Sequence, residues 1–111
     1  MVAAALEAAD TLAKQGKQAR VLDMHTVKPL DDAAVLAAAR ETGRIVAAEE
    51  HLAHGGLGSA VAMSAARQHP VPMRFVNLGD TFAESGKPEE LLAKYHLTAA
   101  DIVAAAQSIF V

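Results

Sequence analysis

Residues able to carry out chemistry cluster in the middle of the chain, directly after a short apolar run. Residues 44–48 are followed by Glu49, Glu50, His51 and His54, and then by a glycine-rich stretch. Carboxylates and imidazoles are the groups that most often transfer protons or bind metals, and glycines let a backbone approach a ligand or a partner closely. This order predicts a strand that exits into a functional loop before a helix, which is where α/β proteins place their ligand sites.

Two specific chemistries fit this segment poorly. His51 and His54 are three residues apart, whereas a zinc helix of the metalloprotease type needs histidines four apart around a glutamate, and no third ligand stands out. The run GGLG at residues 55–58 is similar to a dinucleotide fingerprint, but Val61 replaces the third glycine and no acidic residue follows at the right distance. We therefore predict polar loop contacts and tight packing of the helix start, rather than a metal or nucleotide site.

Two further pairs are weak candidates for acid–base or nucleophilic chemistry. Asp23 and His25 alternate along a predicted strand and therefore share a face. Structural hydrogen bonds account for this pair better than a base and its orienting partner do. Ser59 and Ser85 lack the strained elbow that presents a serine nucleophile. We assign no catalytic residue.

Length and composition restrict the class of protein. The 111 residues have room for one domain, residues 1–111. The absence of cysteine excludes disulfides and thiolate chemistry, and it fits a reducing cytoplasm. A net charge of −3 and an aromatic content of 4% argue against nucleic-acid binding. The first residues carry acids rather than a basic leader, so we expect neither a signal peptide nor a membrane span.

Apolar periodicity and capping signals predict helices alternating with strands. Asp31 is the expected N-cap of a helix that ends before Gly43, with Leu30 and Val35 as its hydrophobic staple. A capping box at residues 98–101 opens the last helix, with Leu97 and Ile102 as its staple. The predicted helices are residues 1–15, 32–42, 56–68, 88–95 and 98–109, and the predicted strands are residues 18–25, 44–49 and 73–78.

Strands separated by helices form a parallel sheet through right-handed crossovers, with both faces covered. The carboxyl ends of such strands share one edge, which is the usual place for function in an open α/β sheet. We therefore expect a ligand-binding or interface edge that contains His25, Glu49, Glu50, His51, His54, Gly55, Gly56, Gly58, Asp80 and Ser85.

Several spaced motifs resemble the C-terminal domain of transketolase-like enzymes. They are VLDMHTVKPLD at residues 21–31, EEH at 49–51 followed by GGLGSA at 55–60, and DTFAESG at 80–86 followed by ELL at 90–92 and LTA at 97–99. The motifs occur in the family's order over nearly the whole chain. The resemblance is greatest to transketolases, particularly the C-terminal chain of split forms. It is smaller to deoxyxylulose phosphate synthases and to the beta chains of 2-oxoacid dehydrogenases.

The resemblance implies a three-layer α/β/α fold with a mainly parallel sheet, and a part in thiamine-diphosphate-dependent transfer of two-carbon ketol units between sugar phosphates. In the family, the cofactor and its magnesium ion lie between a pyrophosphate-binding and a pyrimidine-binding domain, neither of which is present here. We therefore expect this chain alone to bind no cofactor or metal, and to work with cofactor-binding transketolase chains. The alternatives are a non-catalytic interaction or small-ligand-binding module, and a C-terminal fragment of a 2-oxoacid dehydrogenase beta chain or of a deoxyxylulose phosphate synthase.

Two departures from the family pattern lead to further expectations. Family domains have an edge strand and a central strand ahead of the first helix, and the central strand lies between those predicted here at residues 18–25 and 44–49. Without that strand the two neighbours either close up or leave an apolar edge open, so we expect self-association, most simply a dimer, or aggregation. His96 stands where relatives commonly have glycine, at the predicted left-handed end of the fourth helix.

Overall fold

The chain folds into helices around a small parallel sheet. The computed structural model describes residues 1–24, 30–49, 56–77 and 96–109. Within these ranges the elements are, in chain order, α1 (Val2–Lys14), α2 (Asp32–Thr42), β1 (Ile45–Ala48), α3 (Leu57–Gln68), β2 (Met73–Val76) and α4 (Ala99–Ser108).

The sheet confirms the predicted parallel arrangement. β1 and β2 pair in parallel, with Ile45 opposite Met73 and Ala48 opposite Val76. The N–H of Ile45 donates to the carbonyl of Pro72 at 3.1 Å, and the N–H of Glu49 donates to the carbonyl of Val76 at 2.9 Å. Parallel neighbours need a crossover between them, which α3 provides. The carboxyl ends of both strands therefore lie at the same edge.

Helices cover both faces of the sheet. Val46 and Ala48 pack against a cluster that α1 and α4 build with β2, whereas Ile45 packs against a second cluster from α2 and α3. Because successive side chains of a strand point to opposite faces, the two clusters lie on opposite sides of β1. The fold thus has three layers, as predicted. The first cluster contains buried Ala8, Val76, Leu97 and Ile102, and the second contains buried Val35, Val61 and Ala65.

The predicted helix ends of α2 are confirmed. The Asp31 side chain accepts a hydrogen bond from the N–H of Ala34 at 3.0 Å, and Gly43 follows the helix in a left-handed conformation with φ of 75°. Glycine adopts this conformation without the steric cost that a Cβ imposes. Leu30 packs against the cluster that contains Val35, as expected for the two residues of a hydrophobic staple.

A buried polar link joins α2 to α3. Ser64 is fully buried, and its hydroxyl donates to the Asp32 carboxylate at 2.5 Å and accepts from the Gln68 amide at 2.8 Å. The hydroxyl is therefore engaged both as a donor and as an acceptor, which offsets the cost of burying a polar group. The link fixes the first turn of α2 on the middle of α3.

The strand predicted at residues 18–25 is wrong for its described part. Residues 18–24 form no strand, and His25 lies outside the described residues. A strand needs a hydrogen-bonded neighbour, and in the described part of the chain residues 18–24 have none; they line a cavity together with residues of β1. The other predicted elements in the described ranges begin and end within one or two residues of those observed. Leu78 and the predicted helix at residues 88–95 lie outside the described part of the chain.

The left-handed conformation of His96 is confirmed by its φ of 59°. We expect His96→Gly to leave the free energy of unfolding unchanged or to raise it by up to about 1 kcal/mol, because glycine relieves the steric cost of this conformation. Urea denaturation is the measurement, with the pH held constant between variants because the His96 imidazole lies 3.6 Å from the Asp101 carboxylate. His96→Ala is the control and should be less stable. A clear loss of stability in His96→Gly would show a specific contact of the imidazole instead.

The hydrogen bonds in the first turn of α4 predict that the free energy of unfolding depends on pH. Asp101 forms the predicted capping box with Thr98, accepting from its hydroxyl at 2.6 Å and its N–H at 2.9 Å. The Thr98 hydroxyl, followed by its N–H and by the His96 imidazole, holds the pKa of Asp101 below its usual 3.8, although partial burial acts in the opposite direction.

Because this pKa is lower in the folded than in the unfolded chain, the carboxylate stabilises the fold above the unfolded pKa, and the contribution is lost as the pH falls through the folded pKa. We expect the stability advantage of the wild type over Asp101→Asn to shrink as the pH falls from about 5 to about 2.5. Urea titrations of both proteins measure this. A difference that stays constant over the window would contradict a perturbed Asp101.

Candidate functional site

Three residues of the predicted functional edge lie in the described part of the chain, namely Glu49, Gly56 and Gly58. They occupy the end of β1 and the start of α3. In this part of the structure the edge therefore joins the exit of a strand to the start of a helix. The other predicted edge residues, His25, Glu50, His51, His54, Gly55, Asp80 and Ser85, lie outside the described residues.

The Glu49 carboxylate caps α3. Its Oε1 accepts a hydrogen bond from the N–H of Leu57 at 2.9 Å, and its Oε2 accepts from the N–H of Gly58. The first N–H groups of a helix have no carbonyl partner within the helix. Gly56, at the N-cap position, has no side chain to satisfy them. Glu49 performs this task from the adjacent strand, and so ties the end of β1 to the beginning of α3.

The same contact decides the electrostatics of the helix start. A helix N-terminus carries a partial positive charge and is a common site for anions. Here the half-buried Glu49 supplies a negative charge from within the protein. This position therefore differs from a dinucleotide site, in which backbone N–H groups are left open for a pyrophosphate. It agrees with the prediction that the glycines serve packing.

Gly58 is required by close packing. A Cβ at this buried position would lie 2.9 Å from Cδ1 of Phe75 and 3.1 Å from Oε2 of Glu49. Contacts under 3.0 Å are closer than real side chains tolerate, so a larger residue displaces the aromatic ring or the capping carboxylate. The glycine thus lets the first turn of α3 lie against β2. The sequence motif indicated the glycine, but not its neighbour Phe75.

The remaining sequence candidates add no assembled chemistry. Asp23 is exposed, and its predicted partner His25 lies outside the described residues. Ser59 is half-buried in the first turn of α3, while Ser85 also lies outside the described part. Across residues 1–24, 30–49, 56–77 and 96–109, no three acidic or imidazole side chains are close enough to hold a metal ion. No helix in these ranges is long and apolar enough to cross a bilayer.

Comparison with known proteins gives consistent matches over nearly the whole chain. The family model for the transketolase C-terminal domain matches residues 1–102. The chain is 50% identical over 109 residues to a 6-deoxy-6-sulfo-D-fructose transketolase subunit of Clostridium sp. (strain MSTE9), covering 98% of this chain and 34% of that protein. It is 43% identical over 93 residues to one of the apulose-4-phosphate transketolase subunits of Phocaeicola vulgatus, covering 84% of this chain and 30% of that protein.

Two further proteins widen the range of known proteins to which the chain is similar. A 1-deoxy-D-xylulose-5-phosphate synthase of Desulforudis audaxviator is 41% identical over 110 residues, which are 97% of this chain and 17% of that enzyme. A solved structure described as a split gene transketolase, inactive beta4 tetramer, is 46% identical and superimposes with a TM-score of 0.86. The match covers 96% of this chain and 34% of that one. The chain thus spans about a third of the length of the similar transketolase subunits.

Removing the carboxylate of Glu49 tests its role at the helix start. We expect Glu49→Ala to lower the free energy of unfolding by about 1–2 kcal/mol, because it leaves two N–H groups of α3 without an acceptor. Glu49→Gln keeps one accepting oxygen and should lose less. Glu7→Ala, at an exposed position of α1, is the control and should change stability by less than about 0.5 kcal/mol. Urea denaturation measures all three variants. Equal stability of Glu49→Ala and the control would contradict the capping role.

Proposed function

We propose that this chain, which belongs to the family of transketolase C-terminal domains, acts as the C-terminal domain or subunit of a transketolase-like enzyme. In that assembly it supports thiamine-diphosphate-dependent transfer of two-carbon ketol units between sugar phosphates in the cytoplasm. The observation that carries the proposal is the match to transketolase subunits over nearly the entire chain. The chain's own part is to present a rigid strand-to-helix edge to the chains that hold the cofactor.

The Glu49 contact favours a supporting rather than a cofactor-binding role. A thiamine diphosphate group placed at the start of α3 would bring its negative charge against the Glu49 carboxylate, which already accepts the Leu57 N–H. Like charges at hydrogen-bonding distance repel strongly. The described residues therefore do not fit the diphosphate at this helix, and we place the cofactor and its magnesium ion on partner chains or domains.

Two kinds of enzyme are candidates for the assembly in which this chain acts, and they differ in their substrates. Two similar proteins are named for transketolases of different sugars, and a third is a 1-deoxy-D-xylulose-5-phosphate synthase. We favour a transketolase, because the solved relative is a split gene transketolase with 46% identity. The synthase is the second candidate, supported by 41% identity over 97% of this chain.

We further propose that the assembly contains more than one copy of this chain. The solved relative is described as a beta4 tetramer. Large apolar side chains are exposed here on three elements, with Leu6 on α1 at 56%, Met63 on α3 at 61% and Phe75 on β2 at 46%. Leu6 belongs to the helical layer of α1 and Met63 to the opposite layer of α3, so these side chains offer separate surfaces for contacts between copies rather than one contiguous patch. We expect sedimentation of the isolated chain to show a dimer or a larger species.

A titration and a chimera test the function. We expect calorimetry of the isolated chain with thiamine diphosphate and magnesium to show no saturable binding, and sugar phosphates to undergo no turnover. Micromolar binding of the cofactor would contradict the assignment. The chimera replaces the aligned 109 residues of the Clostridium transketolase subunit with this chain. We expect it to retain activity with its partner subunit within about tenfold of the natural enzyme, or about 1.4 kcal/mol.

The control for the chimera is the same subunit with the aligned segment deleted, which should be inactive. Gel filtration of the chimera with its partner shows whether the complex forms. A chimera that assembles fully but has no activity would contradict the proposed supporting role, because assembly is then intact and the function is still missing.

A further inference from the structure

The amino ends of β1 and β2 form a second edge of the sheet, opposite to the edge of the candidate site. The first residues of both strands are paired there, and α2 ends at this edge because it leads directly into β1. α4 ends at the same place, since the carbonyl of Ile109 accepts a hydrogen bond from Nε of Arg44 at 2.7 Å. α1 ends beside α4, where the Gln107 amide donates to Gln15 at 2.8 Å. We call this edge the amino edge.

The amino edge collects positive charge. Its segments, residues 13–22, 38–48, 69–77 and 105–109, contain six basic residues and one acidic residue, whereas the whole chain has a net charge of −3. Glu41 pairs with Arg20, and Asp10 lies 3.8 Å from Lys14, so acidic side chains offset part of this charge. All of the basic residues except the half-buried Lys17 are exposed. We call the six the basic rim: Lys14, Lys17, Arg20, Arg40, Arg44 and Arg74.

The ends of helices account for only two members of the basic rim. Lys14 and Arg40 lie in the last turns of α1 and α2, where a positive charge complements the partial negative charge of a helix C-terminus. Arg20 and Arg44 lie outside the helices, and Arg74 lies on β2. Side chains of one sign that are gathered on one surface repel each other. A ligand of opposite charge therefore stabilises this arrangement.

We propose that the basic rim is a docking surface for an acidic, extended segment of a partner protein. Charge complementarity carries the proposal. Arginines form most of the rim, and a guanidinium group binds a carboxylate through two parallel hydrogen bonds. The rim crosses all three layers of the fold, from the end of α1 over the sheet to the end of α2. This inference does not depend on the proposed enzymatic function.

The layers also set the length of the segment that fits. With layers about 10 Å apart, the rim is about 20 Å long, which an extended chain covers with about six residues at about 3.3 Å each. Glutamates within such a segment reach arginines from more than one layer. The surface lies at the opposite end of the strands from Glu49 and the start of α3, so a partner docked there leaves the candidate site accessible.

Other anions fit the basic rim less well. A free phosphate needs donors that converge on one point, whereas these side chains come from separate layers and are mostly exposed. Single-stranded nucleic acid is held largely by stacking on aromatic side chains. Phe75 is the one aromatic residue in the segments of the amino edge, and its ring lies against Gly58 of α3 instead.

The test uses the isolated chain and two synthetic peptides. The probe is a capped, fluorescently labelled peptide of about six glutamates. The control peptide has glutamine at every position, which keeps the length and removes the charge. Fluorescence anisotropy measures the affinity of each peptide at two salt concentrations, and the shifts of backbone amide signals in NMR spectra locate the bound probe.

We expect saturable binding of the glutamate peptide at about 50 mM salt, weakened at least about fivefold at about 200 mM, because salt screens exposed charges. The glutamine peptide should bind at least about tenfold more weakly. The amide signals of Arg20, Arg44 and Arg74 should shift. Those of Leu57 and Gly58, at the opposite edge, should stay unchanged and serve as the internal control.

A matched pair of variants separates the basic rim from general attraction. Arg74→Gln and Arg67→Gln each remove one exposed arginine, but Arg67 lies at the end of α3 beside Gln68, which contacts Asp32 of α2. We expect Arg74→Gln to weaken binding of the glutamate peptide about threefold and Arg67→Gln less than about 1.5-fold. Adding Arg40→Gln to Arg74→Gln should bring the loss to about tenfold. Circular dichroism checks that the variants are folded, and the two peptides on the wild type decide the question if they are not.

Four outcomes would overturn the proposal. The first is that the glutamate peptide shows no saturable binding at the lower salt concentration. The second is that both peptides bind equally. The third is that Arg67→Gln weakens binding as much as Arg74→Gln, which identifies general attraction rather than a docking surface. The fourth is that a thymidine oligonucleotide or phosphatidylglycerol vesicles bind more tightly than the glutamate peptide, which identifies a nucleic acid or a membrane as the partner.

Discussion

The carboxylate of Glu49 is the contact on which the arrangement of β1, α3 and β2 depends. Glu49 directly follows β1 and accepts the first N–H groups of α3, so the crossover between the two parallel strands begins from a fixed point. Gly58 lets the helix start lie against Phe75 of β2 at the same place. One charged side chain and one missing Cβ therefore set both the direction of α3 and its distance from the sheet.

This arrangement explains why a motif that looks like a binding loop is structural in its described part. Glycine-rich helix starts bind anions when their N–H groups are left open. In this chain the N–H groups of Leu57 and Gly58 already donate hydrogen bonds to a carboxylate that lies eight or nine residues earlier in the sequence. The described part of this edge therefore serves packing and offers no open helix start to an anion.

Local signals predicted the helices well, because their determinants lie within a few residues of each other. Asp31 and Gly43 bound α2 as expected, and Thr98 with Asp101 opens α4. The strand expected at residues 18–25 was wrong in its described part. A strand depends on a hydrogen-bonded neighbouring strand, and the local sequence does not specify that neighbour. Likewise, the glycines of α3 were recognised from the sequence, but the capping by Glu49 and the approach of Phe75 come from tertiary packing.

The contact between α1 and α4 has a consequence for how the chain folds during synthesis. Gln15 at the end of α1 and Gln107 of α4 share a hydrogen bond of 2.8 Å across 92 residues of sequence, and Ala8 of α1 lies in one cluster with Ile102 of α4. During synthesis α1 leaves the ribosome before α4. At a synthesis rate of roughly 5–20 residues per second, the apolar face of α1 stays without its partner α4 for several seconds. The α2–β1–α3 unit, whose contacts are local in sequence, is therefore expected to form first, and the α1 face is a natural target for a chaperone in the interval.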